Sequence, residues 1–169
     1  MILKDLQKLE KLVNSELASK VQRSIIENNE FLIEISETDL IDVIQFLKSN
    51  DSCKFRQLID IAGVDYPENE KRFQLVYLFL SHEKNLRIKL LIKFDLNQII
   101  PSITKIFPSA NWMEREVFDM YGVKFKNHPD LRRIFGMFFI VIPLVINIPE
   151  SKQNPAVTPA ASVGEKIPP

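Results

Sequence analysis

The amino-acid sequence predicts a single α+β domain in which helices cover one mainly antiparallel sheet, followed by an irregular, proline-rich C-terminal tail. Two strand-like runs, residues 73–80 and 86–94, are joined by the short polar link 81–85, which is the pattern of a β-hairpin. Amphipathic helical patterns lie before and after this hairpin. With 169 residues, 46% of them hydrophobic, the chain can bury one ordinary core but has little room for two.

The elements predicted before the hairpin are two helices and two strands. Residues 2–20 repeat apolar side chains at helical spacing, and residues 30–36 alternate apolar and polar side chains as a half-buried strand does. A capping-box-like start at Ser36 predicts a second helix that runs to about residue 48. Residues 58–65 predict a short strand.

Two more helices are predicted after the hairpin. The first spans about residues 97–107, and its Pro101 is tolerated because it lies near the helix start. The second begins near Asn111, taken as the N-cap, and ends at Gly122, because glycine suits the left-handed conformation of a helix end. Its predicted apolar stripe consists of Met113, Val117, Met120 and Tyr121.

Residues 114–133 are the most specific part of the sequence. Within twenty consecutive positions they place a charged helix, a glycine stop, a short strand and a His-Pro-Asp turn, without any spacer. We expect seven of these residues to hold structural or partner-interface positions: Glu114, Glu116, Asp119, His128, Asp130, Arg132 and Arg133.

Helical spacing predicts an ion-paired face for the acidic residues of this block. Glu116 and Asp119 lie three apart on one face, and Arg115 reaches Asp119 at four apart. A partner surface is the functional alternative that we prefer to acid–base catalysis. In the turn, Pro129 holds His128 extended, so we expect His128 to act as a structural donor rather than as a proton carrier.

The two arginines that follow the turn are expected to hold carboxylates or backbone carbonyls in forked geometry. Lys124 and Lys126 share one side of the predicted short strand. They do not make a nucleic-acid platform, because such a platform needs more basic residues and stacking aromatics on the same face. Lys plus Arg equals Asp plus Glu, at 22 each, so no net charge draws the chain to nucleic acid.

The composition argues against a metal, cofactor or nucleophile site in this chain. Two histidines and one cysteine cannot complete a site of nitrogen and sulfur ligands. The four glycines are scattered, so the chain has no glycine-rich phosphate loop for a nucleotide cofactor. The sequence places Cys53 in a polar connection, where it is an incidental thiol. We therefore expect no catalytic, cofactor-binding or metal-binding residues.

The C-terminal part differs from the domain predicted over residues 1–134. Residues 135–148 are almost entirely apolar, and a buried strand pair is preferred there over a membrane-lying segment. This run is shorter than the ~20 residues that a spanning helix needs, and Pro143 would break it. Half of the ten prolines fall in residues 149–169, which predicts a flexible tail.

The block Glu114-Arg-Glu-Val-Phe-Asp-Met-Tyr-Gly, followed by His128-Pro-Asp-Leu-Arg-Arg-Ile, resembles the signature of the 30-kDa subunit of respiratory complex I, the proton-pumping NADH–quinone oxidoreductase. Residues 55–67 and the central hairpin are also similar to this family, so the resemblance covers roughly residues 1–134. Asn127 stands where the family usually has glycine, and asparagine tolerates positive φ. From residue 135 onward the family's usual continuation is missing, which indicates a truncated, frameshifted or divergent C-terminus.

The resemblance implies a subunit without cofactor or catalytic residues of its own. In this family the chain packs against the large quinone-site subunit and the adjacent iron–sulfur subunits, while FMN, iron–sulfur clusters and quinone belong to partner subunits. It implies a scaffold in the peripheral arm, with membrane association through the complex. The equivalent subunit of a related membrane-bound hydrogenase and a self-standing α+β binding module are the alternatives.

The N-terminus carries no basic region followed by an apolar stretch and is too acidic for a transit peptide, so we expect neither a secretory nor an organellar signal. Together with the resemblance, this favours the cytoplasmic side of a bacterial inner membrane. The matrix side of the mitochondrial inner membrane is the alternative.

Overall fold

Three α-helices and seven strands make up the part of the chain that the computed structural model describes, residues 2–28, 30–95 and 97–134, all within the compact unit Met1–Phe135. In chain order they are α1 (Ile2–Glu16), β1 (Val21–Glu27), β2 (Glu30–Ile35), α2 (Leu40–Ser49), β3 (Gln57–Asp65), β4 (Phe73–Ser81), β5 (Leu86–Phe94), β6 (Ile99–Pro101), α3 (Ala110–Tyr121) and β7 (Lys124–Lys126). A 3-10 turn, Glu37–Asp39, leads into α2.

Five of the strands form one sheet in the order β1-β2-β5-β4-β3. Its neighbouring strands are antiparallel except for the central pair β2 and β5, which is parallel. The short strands β6 and β7 pair in parallel as a separate two-stranded sheet. The predicted fold class, a mainly antiparallel sheet covered by helices, is confirmed.

The core lies on one face of the five-stranded sheet. Strand β4 shows why, because its side chains alternate strictly: Phe73, Leu75, Tyr77 and Phe79 are buried and the residues between them are half-buried. The helices cover this face with their apolar stripes, and completely burying one leucine such as Leu6 contributes roughly 1.5–3 kcal/mol. The core-facing helix residues are Leu6, Leu9 and Val13 of α1, and Leu40, Val43, Ile44 and Leu47 of α2.

Helix α1 ends at Glu16, before the predicted end at residue 20, because the chain turns there into β1. The edge strand β1 was not predicted. Its side chains are exposed or half-buried without alternation, and the pairing with β2 is irregular between Val21 and Arg23. A strand that buries neither face cleanly leaves no period in the sequence.

The helix predicted over residues 97–107 is wrong. Ile99–Pro101 forms β6 instead, and the Ser102 N–H donates to the Lys126 carbonyl oxygen at 3.0 Å. One turn follows, in which Phe107 N–H donates to the Ile103 carbonyl oxygen at 2.8 Å. Ile100, Ile103 and Phe107 are all buried, and their helix-like spacing produced the misleading pattern.

The start of the last helix also differs from the prediction, because Ser109 and not Asn111 is the N-cap of α3. The end of this helix agrees: Gly122 has φ +74°, and its N–H donates to the Phe118 carbonyl oxygen at 2.9 Å. The segments predicted over residues 135–148 and 149–169 lie outside the described residues.

Candidate functional site

Helix α3 brings most of the predicted site residues together. Its inner face is built from Ala110, Glu114, Val117 and Tyr121, which recur at helical spacing, and the first three are buried. The predicted stripe is therefore corrected at one end, since Met120 is 43% exposed. The glutamate at position 114 takes a core-facing place that the sequence pattern assigned to apolar residues.

Glu114 is completely buried, so the prediction of an ion-paired surface residue is wrong for this position. Its Oε1 accepts the Ile103 N–H at 2.7 Å, whereas Oε2 has no hydrogen-bond partner among the described residues. Burial raises the pKa of Glu114 to about 7, against the opposing effects of the Ser102 hydroxyl and the Ile103 N–H.

His128 closes the site from the His-Pro-Asp turn, and its side chain is completely buried. The Asp130 N–H donates to Nδ1 at 3.0 Å, so the ring proton is on Nε2, which donates to the Asn111 carbonyl oxygen at 3.1 Å. Asn127, just before it, has φ +64°, which brings the chain back towards α3. The ring therefore joins the turn to the first turn of the helix.

Tyr77 on β4 is a member of this buried group that the sequence analysis missed. Its hydroxyl is buried without a hydrogen-bond partner in the described part of the chain. Burial and then the negative charge of Glu114 raise the pKa of Tyr77. Strand alternation placed Tyr77 in the core, but only the packing of α3 against the sheet shows that a carboxyl group lies near it.

The outer face of α3 presents Trp112, Glu116 and Met120 at spacings of four residues. Trp112 is 56% exposed, and the Arg115 guanidinium carbon lies 5.4 Å from the centre of its ring. Arg115 Nε also donates to the Arg132 carbonyl oxygen at 3.0 Å. The aromatic side chain is thus held in place at the surface while it stays open to a partner.

The remaining predicted residues lie beside this face. Arg132 Nε pairs with Asp130 at 3.0 Å, and the Arg132 side chain is 74% exposed. Arg133 Nε lies 3.7 Å from a carboxylate oxygen of Asp119, which is mostly buried. Of the seven predicted residues, Glu114 and His128 form the buried pair, and the other five surround the exposed face.

The described residues show no other chemical centre. No three His, Cys, Asp or Glu side chains in residues 2–28, 30–95 and 97–134 come together as a possible metal site. Cys53 is buried, and this burial raises the pKa of its thiol to about 11, with Lys84 opposing the effect. None of the described helices is long and apolar enough to cross a membrane.

Residues 33–152 of the chain match the family described as respiratory-chain NADH dehydrogenase, 30 Kd subunit. Similar curated proteins share one name, which is that of a single subunit of NADH-quinone oxidoreductase. The protein from Ruegeria pomeroyi is 51% identical over 105 residues, which are 62% of this chain and 52% of the relative. The protein from Rhodospirillum rubrum is 41% identical over 131 residues, 78% of this chain and 62% of the relative. The chain thus spans about half to two thirds of these relatives' length.

Two solved structures share the fold. The trypsin-resistant fragment of Nqo5 aligns with a TM-score of 0.62 and 24% identity, over 73% of this chain and 98% of the fragment. A chain of the membrane-bound sulfane sulfur reductase, an archaeal respiratory membrane complex, aligns with a TM-score of 0.65 and 20% identity, over 79% of this chain and 75% of that one. From the match over residues 33–152 and these relatives, the chain belongs to the family of the respiratory-chain NADH dehydrogenase 30 kDa subunit.

Proposed function

We propose that this chain is a non-catalytic peripheral-arm subunit of a proton-pumping NADH–quinone oxidoreductase. It holds the large quinone-site subunit in place while electrons pass from NADH to quinone. The observation that carries the proposal is the family match over residues 33–152, which includes the whole block from α3 to the His-Pro-Asp turn. The relatives' shared name, that of an NADH-quinone oxidoreductase subunit, supports the same assignment.

The surface around α3 suits a scaffold. Trp112 and Met120 are exposed, and Arg132 lies beside them with most of its side chain in solvent. Tryptophan, methionine and arginine are enriched in protein interfaces, and a partner that covers them removes apolar surface from water. We place the large quinone-site subunit or an adjacent iron–sulfur subunit on this surface.

The same proposal assigns FMN, iron–sulfur clusters and quinone to partner subunits and none of them to this chain. Membrane association then comes through the complex, on the cytoplasmic side of a bacterial inner membrane or the matrix side of a mitochondrial one. The redox chemistry takes place in the neighbouring subunits, and this chain contributes their position.

A second candidate is the equivalent subunit of a related membrane-bound hydrogenase or oxidoreductase. The observation that favours it is the shared fold with a chain of the archaeal sulfane sulfur reductase complex. A self-standing α+β binding module is the third candidate, because a shared fold alone does not require an assembly.

Purification of the tagged full-length chain from native membranes, followed by mass spectrometry of the proteins bound to it, separates the three candidates. The proposal predicts that the flavin, iron–sulfur and quinone-site subunits of an NADH–quinone oxidoreductase purify with it. A hydrogenase large subunit in their place would favour the second candidate. A chain that purifies alone from membranes containing the complex would contradict the proposal.

A further inference from the structure

The buried pair of Glu114 and His128 has a hydrogen-bond arrangement that a charged carboxylate does not fit. Glu114 Oε1 accepts one N–H, from Ile103, at 2.7 Å. Oε2 lies 3.8 Å from His128 Nε2, beyond hydrogen-bond distance. An ionised carboxylate has two strongly accepting oxygens, so one of them would stay without a donor in a site that excludes water.

The groups that face Glu114 do not supply a compensating positive charge. From β4 the facing titratable group is Tyr77, and from the turn it is His128. From residues 102–103 a hydroxyl and a backbone N–H face it. Arg115, the next residue on the helix, is directed to the Arg132 and Arg133 carbonyl oxygens at 3.0 and 3.4 Å. Within the described residues, no lysine or arginine is paired with the Glu114 carboxyl.

His128 does not neutralise the carboxyl either, because both of its ring nitrogens are already used. Nδ1 accepts the Asp130 N–H and Nε2 donates to the Asn111 carbonyl oxygen. A second ring proton would have to occupy Nδ1 and would break the bond to Asp130. The hydrogen bonds that hold the turn therefore require a neutral imidazole.

We propose that Glu114 is held as a neutral carboxylic acid in the folded protein and forms with His128 a buried proton-binding site that locks the His-Pro-Asp turn onto helix α3. Loss of the Glu114 proton places a negative charge 3.8 Å from the Nε2–H and draws that N–H away from the Asn111 carbonyl oxygen. Protonation of one carboxyl group thus controls the attachment of the turn. The inference concerns the chain itself and does not depend on which partners it has.

The sign of the pH dependence follows from burial. Because burial raises the pKa of Glu114 from 4.5 to about 7, the folded state binds the proton more tightly than the unfolded state. Its contribution to stability is complete below pH 4.5 and decreases as the pH rises towards 7. Between pH 5 and 8 the unfolding equilibrium constant should rise by about two orders of magnitude from this group.

The test compares denaturant unfolding of the full-length chain and of Glu114→Gln across pH 5 to 8. Glutamine keeps the shape and cannot titrate, so we expect the midpoint of the variant to lose the fall that the wild type shows. Glu116→Gln is the matched control, because this exposed neighbour on the same helix should leave the fall in place. Equal pH dependence in wild type and Glu114→Gln would overturn the proposal.

A second measurement keeps the proposal testable if Glu114→Gln does not fold. The 13C chemical shift of the Glu114 carboxyl group in the wild-type chain should report a neutral acid at pH 6, and the amide signal of Asp130 should shift with the same titration. A carboxyl group that is already ionised at pH 6, or an Asp130 amide that does not follow it, would overturn the proposal.

Discussion

Tyr121 of α3 packs so closely against Gly63 of β3 that a side chain at position 63 has no room. A Cβ atom built on Gly63 lies 2.7 Å from Cδ2 and 2.8 Å from Cε2 of the Tyr121 ring. Both atoms belong to a ring in the last turn of the helix, so they are not at the far end of a flexible chain. This contact sets the distance between the helix that carries Glu114 and the edge of the sheet.

We predict that Gly63→Ala destabilises the protein by about 1–3 kcal/mol, because the added methyl group forces the Tyr121 ring or the helix to shift. Denaturant unfolding of the purified chain measures this cost. In a double-mutant cycle, Tyr121→Ala should remove most of the cost of Gly63→Ala, because the two residues are in direct contact. Strictly additive effects would show that the ring does not restrict position 63.

The second prediction concerns the anchor of the His-Pro-Asp turn. His128→Ala removes the acceptor of the Asp130 N–H and the donor to the Asn111 carbonyl oxygen, so we expect a loss of roughly 1–3 kcal/mol in the free energy of unfolding. The other histidine supplies the control: His82 is exposed in the hairpin turn, and His82→Ala should change stability by less than about 0.5 kcal/mol. Equal effects of the two substitutions would contradict the anchoring role of His128.

The third prediction concerns Cys53. Burial raises the pKa of its thiol to about 11 from an ordinary value of 9.0, so the reactive thiolate is scarce near neutral pH. We expect alkylation of the native chain at pH 8 to be at least about 100-fold slower than alkylation of the chain unfolded in denaturant. Comparable rates in the two states would mean that Cys53 is accessible and ionised in the native protein.

The fourth prediction concerns the exposed surface beside α3. Under the proposed function, Arg132→Glu should reduce the amount of this chain found in the large membrane complex without removing any bound cofactor, because Arg132 is exposed next to Trp112 and Met120. Lys11→Glu on the exposed face of α1 is the charge-reversal control. Quantitative immunoblots of the separated complex measure the outcome, and normal assembly with lost electron transfer would contradict the structural role.

The parts of the fold that the sequence predicted are those with a local period. The alternation of β4 and β5 and the helical stripes of α1 and α2 are visible in a few consecutive residues, because each element buries one face against the same core. The structure places β6 where a helix was predicted. The reason is non-local: Ile99–Pro101 pairs with Lys124–Lys126, and no short window of sequence contains both strands.

The site was predicted by position but not by arrangement. The spacing of Ala110, Glu114, Val117 and Tyr121 contains the signal that Glu114 faces the core, yet a glutamate is normally assigned to the polar face. Its partner Tyr77 is 37 residues away in the sequence and on a different element. Only the packing of α3 against β3 and β4 could show that these groups share one buried site.

The central claim, that this chain is a subunit of a large respiratory complex, is tested most directly by its size in native membranes. We would solubilise the membranes gently, separate the complexes by size, and locate peptides of this chain by mass spectrometry. The account predicts that they migrate with a very large complex that oxidises NADH. Migration of the whole population as a small soluble species, in membranes where that complex is intact, would contradict it.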